Sequence, residues 1–108
     1  MSGGRRAPER PVREARPEIR AVPAEVDVRG ERAERARAIV REAVDAAGPV
    51  GRASIRVVHG KGTGALRAAV REELSRHPLV LRHEEAGPRE GGDGATVAVL
   101  VEEAGAPS

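Results

Sequence analysis

Four short segments of this chain read as β-strands, the first of them alternating polar and apolar residues with a period of two, and they restrict the fold more than any other feature of the sequence. They are Glu25–Arg29, Ala53–His59, Leu79–Glu84 and Ala95–Val101. Between the first two, Ala36, Val40, Ala43, Val44 and Ala47 recur at helical spacing within Glu31–Ala47, and Gly48-Pro49 supplies the stop. Leu66, Ala69, Val70 and Leu74 mark a second helix that His77-Pro78 ends. The order is therefore β-α-β-α-β-β. Residues two apart on a strand share a face, which groups Val26, Val28, Ile55, Val57, Leu79, Leu81, Val97, Val99 and Val101 against Glu25, Asp27, Arg29, Ser54, Arg56, Arg82, Glu84 and Thr96. One apolar and one polar face require both helices on the same side. The expected architecture is an α/β two-layer sandwich, a mixed four-stranded sheet with two helices on one face, rather than the doubly covered parallel sheet of a dinucleotide-binding fold. Its last two strands, joined across Gly87–Gly94, are expected to pair antiparallel, and Arg29, Arg56 and Arg82 cross its open face.

The core available to such a sheet is small. The 108 residues include no Phe, Tyr, Trp or Cys, so it is aliphatic and of marginal stability. Disulfides, thiolate zinc sites and cysteine nucleophiles are excluded. Residues 1–23 hold four Pro with six Arg and three Glu and cannot bury enough apolar surface to order themselves. They are expected to form a disordered basic arm or linker ahead of a domain at 24–102 and a disordered tail at 103–108. No run approaches the roughly 20 apolar residues of a membrane span, and the N-terminal stretch lacks the apolar segment of a secretory signal. A soluble, cytoplasmic protein without a membrane partner is the expectation. Of 19 basic residues only Lys61 is not Arg, so the pI of about 10.3 reflects Arg, which stays protonated, rather than a large charge excess. The net charge is only +2.

His59-Gly60-Lys61-Gly62-Thr63-Gly64 lies between a strand and a helix, where free backbone amides and the helix dipole make an anion site. Alternate glycines let the backbone approach a phosphate, and Lys61 and Thr63 add donors. A loose dinucleotide fingerprint, Gly60-x-Gly62-x-x-Ala65, is also met, but the polar sheet face argues against it. His59 itself has two readings. It continues the Ile55–Val57 parity, which suits a buried histidine closing the helix layer, and it stands at the mouth of a phosphate loop, which suits general acid–base work.

The run Val57-Val58-His59-Gly60-Lys61-Gly62-Thr63-Gly64-Ala65-Leu66-Arg67, with Val26-Asp27-Val28-Arg29-Gly30 before it and His77-Pro78-x-Val80 and Gly91-Gly92-x-Gly94-Ala95-Thr96 after it, closely resembles the Smr domain. In particular it resembles the C-terminal Smr domain of the MutS2 proteins. The resemblance spans Glu25 to about Leu100. It implies a β-α-β-α-β-β two-layer fold similar to the C-terminal domain of translation initiation factor 3, in agreement with the pattern above. It also implies endonuclease activity, usually nicking, on DNA in some members and RNA in others, with links to recombination and to ribosome quality control.

The family's first motif, leucine-aspartate-leucine followed by His or Arg, falls on Val26 to Arg29 and makes Asp27 the candidate catalytic carboxylate. Its glycine motif falls on His59 to Gly64 and makes His59 the second catalytic candidate. Position 29 is Arg where RNA-acting members often carry His, and both polymers stay open. The candidate phosphate contacts are Arg29, Gly60, Lys61, Gly62, Thr63, Gly64 and Arg67. No cofactor is demanded, but Mg²⁺ or Mn²⁺ could bind through Asp27 and substrate phosphate. DNA or RNA is the expected partner, with the ribosome and an upstream MutS-like ATPase region as further ones. The alternative is a non-catalytic module that docks nucleic acid or the ribosome. Without aromatic side chains to stack on bases, recognition is expected to run through phosphate with little sequence preference. Affinity for duplex DNA, measured by titration, should therefore fall at least about ten-fold between low and physiological salt.

Overall fold

The computed structural model describes residues 22–101; the expectations for the arm and the tail fall outside these residues except at positions 22 and 23. Strand β1 (Glu25–Asp27) is followed by helix α1 (Ala33–Ala47), strand β2 (Ser54–Val58), helix α2 (Ala65–Arg76) and strands β3 (Arg82–Glu85) and β4 (Ala95–Val99). They form a four-stranded sheet of order β1-β2-β4-β3. The β1–β2 pair is parallel and the β2–β4 and β3–β4 pairs are antiparallel, as a mixed sheet with two helices in one layer requires. β1, β2 and β3 thus run the same way, and α1 and α2 both return against them.

The helices form where apolar residues repeat and end where the sequence stops them. Ala36, Val40, Ala43, Val44 and Ala47 are the buried stripe of α1, and Ala69, Val70 and Leu74 that of α2. All of these but Ala69 meet Val28, Ile55, Val57, Ala98 and Leu100 in one cluster. Between the helices Arg37 bonds Glu72 at 2.6 Å and Arg41 bonds Glu73 at 3.1 Å. Beyond α2, His77 accepts the Leu79 amide on Nδ1 at 3.0 Å, so its Nε2 carries the hydrogen donated to Asp45 of α1 at 2.8 Å. The turn after Pro78 is tied to the first helix by that ring.

Two face assignments differ from the sequence reading. In β4 it is Thr96, Ala98 and Leu100 that are buried, while Val97 and Val99 take the outer face and Val101 is 49% exposed. The register with β2 decides this, because Thr96 lies opposite Val57 and Ala98 opposite Ile55. Thr96 was the polar marker for the outer face, but a buried hydroxyl costs little when its hydrogen bonds are made, and His59 and Arg71 make them. At the other edge, Leu79 and Leu81 precede β3 and are 42% and 57% exposed. Val80 packs on the core in their place, and Leu79 lies over Gly48, where a Cβ would stand 2.7 Å from its Cδ1. His83 sits opposite Ala98 on the helix side and bonds Ser75 at 3.1 Å.

The outer face is not an open row of arginines. Arg56 pairs with Glu25 and donates to the Glu90 carbonyl at 3.2 Å, Arg82 bonds Glu84 at 3.0 Å, and Arg29 bonds Asp27. Leu74→Ala should lower stability by about 2–5 kcal/mol and Val99→Ala by about 1 kcal/mol or less. Urea unfolding checks both, and equal losses would contradict the inward side of β4.

Candidate nucleic-acid site

Parallel pairing brings the carboxyl ends of β1 and β2 together, with Asp27 opposite Val58 and the Val28 amide on the Val58 carbonyl at 2.9 Å. Asp27 closes β1, and a tight turn through Arg29 and Gly30 leads into α1. One residue past β2, His59 opens the glycine loop that ends at the first turn of α2. The two segments touch through Arg29, whose Cγ lies 3.4 Å from where a Cβ on Gly60 would stand. Gly60 has φ of +83° there, a conformation that any side chain would strain.

Asp27 and Arg29 form one unit. The Arg29 backbone amide and Nε both donate to Oδ1 at 2.9 Å, and Nη2 donates to Oδ2 at 2.6 Å. These bonds from Arg29 hold the carboxyl down at about 2. The pair is exposed, with side-chain accessibilities of 63% for Arg29 and 45% for Asp27.

His59 is the opposite case, only 4% exposed. A carbonyl oxygen can only accept, so the 2.9 Å contact with Gly60 O places a hydrogen on Nδ1. Arg71 Nε can only donate to Thr96 Oγ1, at 3.0 Å. The Thr96 hydroxyl hydrogen is then free to be donated to His59 Nε2, 2.9 Å away. A neutral imidazole satisfies every one of these bonds. Burial pushes the His59 pKa below its ordinary value; the hydrogen bond to the Gly60 carbonyl opposes this, the charges of Arg71 and then Arg67 add to it, and Asp93 opposes it least. Of its two sequence readings, the buried histidine describes where the ring lies.

The loop is fastened from its other side as well. The Gly94 carbonyl accepts both the His59 amide at 3.0 Å and the Gly60 amide at 2.8 Å. Lys61 Nζ lies 3.4 Å from an Asp93 carboxylate oxygen. Arg67, from the first turn of α2, folds back so that its Nη2 lies 3.1 Å from where a Cβ on Gly64 would stand. Thr63 Oγ1 accepts the Ala65 amide at 3.3 Å, while the Leu66 and Arg67 amides have no earlier helical carbonyl to meet. A cavity of about 130 Å³ opens here, lined by His59, Gly60 and residues 62–66. That is well below the roughly 300 Å³ at which small-molecule sites begin, so it suits a phosphate group rather than a nucleotide.

All nine candidate residues therefore lie at one sheet edge: Asp27, Arg29, His59, Gly60, Lys61, Gly62, Thr63, Gly64 and Arg67. Sequence reading missed Thr96 and Arg71. Their signals were the place of Thr96 at the end of the Gly91-Gly92-x-Gly94-Ala95-Thr96 motif and an Arg one turn beyond Arg67. For a metal, the described residues hold no cluster of three or more His, Cys, Asp or Glu, and both Asp27 oxygens carry Arg29. The donors do not fit a cage made by the protein alone.

A His held neutral in the fold takes up its proton more readily when unfolded, so its contribution to stability is lost as pH falls through the ordinary His value of roughly 6.5. For Asp27, the contribution is present above its unfolded value of roughly 3.9 and is lost as pH falls toward about 2. Melting curves from pH 8 to 5 should show wild type losing Tm more steeply than His59→Gln, and parallel slopes would refute the assignment to His59.

Comparison with known proteins agrees with this geometry. Residues 26–101 match the family model of the Smr domain. Endonuclease MutS2 of Halalkalibacterium halodurans is 49% identical over 76 residues, covering 70% of this chain and 10% of that protein. Endonuclease MutS2 of Thermus thermophilus is 46% identical over 76 residues, with the same two coverages. The chain thus spans about a tenth of the length of these curated relatives. The crystal structure of the Smr domain of Thermus thermophilus MutS2 matches with a TM-score of 0.69 at 45% identity, covering 72% of this chain and 98% of that one. YdaL of Escherichia coli, a stand-alone small MutS-related protein, matches with a TM-score of 0.68 at 25% identity, covering 73% and 65%. With its fold, its glycine loop and these likenesses in agreement, the chain belongs to the Smr domain family.

Proposed function

We propose that this domain grips a phosphodiester of DNA or RNA at the glycine loop and nicks the strand beside it, as an endonuclease. One observation carries the reading: the side-chain stem of Arg29, whose guanidinium holds the Asp27 carboxylate, lies beside Gly60, and Gly60 lines the phosphate-sized cavity. Lys61, Arg67 and the first amides of α2 supply positive potential to the phosphoryl oxygens. An arriving phosphate offers Arg29 the bidentate partner that its fork favours. Arg29 then releases Asp27, which at neutral pH is ionised and able to orient a water for attack on phosphorus, the water's proton passing to solvent as the new P–O bond forms. The P–O bond on the far side breaks, and the leaving oxygen takes its proton from solvent. His59, with both nitrogens occupied, acts by holding the loop.

That relatives are named endonuclease supports a nuclease over other uses of a phosphate loop. A second reading is favoured by the saturation of Asp27 and His59 in the free domain: a module that docks DNA, RNA or the ribosome and leaves cleavage to another part of a longer MutS2-like protein. Nicking of supercoiled plasmid and cleavage of a structured RNA should separate the two. Asp27→Asn should reduce the rate at least about 100-fold while binding persists, and EDTA should leave wild type active. An imidazole inflection in the pH–rate profile would return His59 to acid–base chemistry. Binding with no cleavage by wild type on either polymer establishes the docking module.

A further inference from the structure

Four groups join the interior of the domain to its glycine loop in a single line of hydrogen bonds. Arg71 of α2 donates to Thr96 of β4, Thr96 donates to His59, and His59 donates to the carbonyl of Gly60, at 3.0, 2.9 and 2.9 Å. Thr96 is fully buried and His59 nearly so. The peptide between Gly60 and Lys61 is trans, and in a planar trans peptide the N–H points opposite to the C=O. Drawing the Gly60 carbonyl toward the ring therefore turns the Lys61 amide away from the buried side. The plane of this one peptide is set from the core.

We propose that Thr96 and Arg71 are positioning residues of the glycine loop, acting through His59 to aim the Lys61 backbone amide at the phosphate of a bound strand. The proposal rests on the phosphate-grip reading above and adds residues that touch no substrate. Its logic is that of a second layer of hydrogen bonds that orients a binding group. Each member has one satisfactory role. The Gly60 carbonyl accepts from Nδ1, Nε2 accepts from the threonine hydroxyl, and the hydroxyl oxygen accepts from Arg71. Removing the hydroxyl leaves Nε2 and Arg71 Nε without their partner in a buried setting, and the ring is no longer held to the carbonyl. Thr96 also adjoins the segment that carries Gly94, whose carbonyl holds the His59 and Gly60 amides, so β4 fastens the loop at two points.

The experiment measures affinity for a fluorescently labelled duplex DNA at low salt, with Tm recorded for every variant. Thr96→Val, matched in shape and lacking only the hydroxyl, should weaken binding about five-fold, whereas Thr96→Ser should bind as wild type does. Arg71→Met should weaken it in the same sense, and serves as the test if Thr96→Val does not fold. The Lys61 amide resonance should move in Thr96→Val and return in Thr96→Ser. Lys61→Met and Arg67→Met test the grip itself: if neither changes affinity, the phosphate reading falls and takes the relay's role with it. If those two weaken binding while Thr96→Val and Arg71→Met do not, the relay proposal alone is overturned. A Thr96→Ser variant as weak as Thr96→Val would overturn it as well.

Discussion

The parallel pairing of β1 with β2 is the constraint on which the rest of this domain depends. Three residues of each strand are in register, and their common direction leaves both carboxyl ends at one edge. Antiparallel pairing would have put Asp27 and the glycine loop at opposite ends of the sheet. With the strands parallel, each must be followed by a helix that carries the chain back. Both helices therefore begin at the edge where the common direction of the strands has already gathered Asp27, Arg29 and the loop. Packing of α1 on α2 and the shared apolar cluster beneath them are consequences of the same choice.

Much of this was legible from residue spacing because it rests on short-range rules. A period of two against a period of three to four separated strands from helices, and glycine or proline marked where the helices stop. The one-sided sheet followed from Asp27, Ser54 and Arg56 alternating with Val28, Ile55 and Val57. The β4 strand escaped because both of its parities are apolar: Thr96, Ala98 and Leu100 read no more core-like than Val97, Val99 and Val101 until pairing with β2 sets the side. Thr96 misled for a further reason. Its burial depends on partners 37 and 25 residues away, and local alternation carries no information about them. The candidate site was legible largely through resemblance, since spacing alone yields a phosphate loop but does not join it to Asp27 across a crossover.

The interior is built from small aliphatic residues, and hydrogen bonds do at its rim what large side chains do in other cores. The largest fully buried side chains are Ile55 and Leu74, which cannot wedge distant segments together as an aromatic ring does. Loop 87–94 is held instead by directional polar contacts, the Gly94 carbonyl taking two amides and Arg56 reaching the Glu90 carbonyl. Such contacts fix orientation more sharply than apolar packing does, and they leave the loop's position tied to a few identifiable atoms.

The parallel run of α1 and α2 has one further consequence. Aligned side by side, the two helices add their macrodipoles instead of cancelling them, with both positive ends at the site edge. From residue 24 onward the chain carries 13 basic and 14 acidic side chains, so this part of the molecule has almost no monopole. Its attraction for a polyanion is then dipolar: weaker at long range than that of a basic protein, but accompanied by a torque. Such a field exerts a torque that turns the loop edge of the domain toward any nearby polyanion.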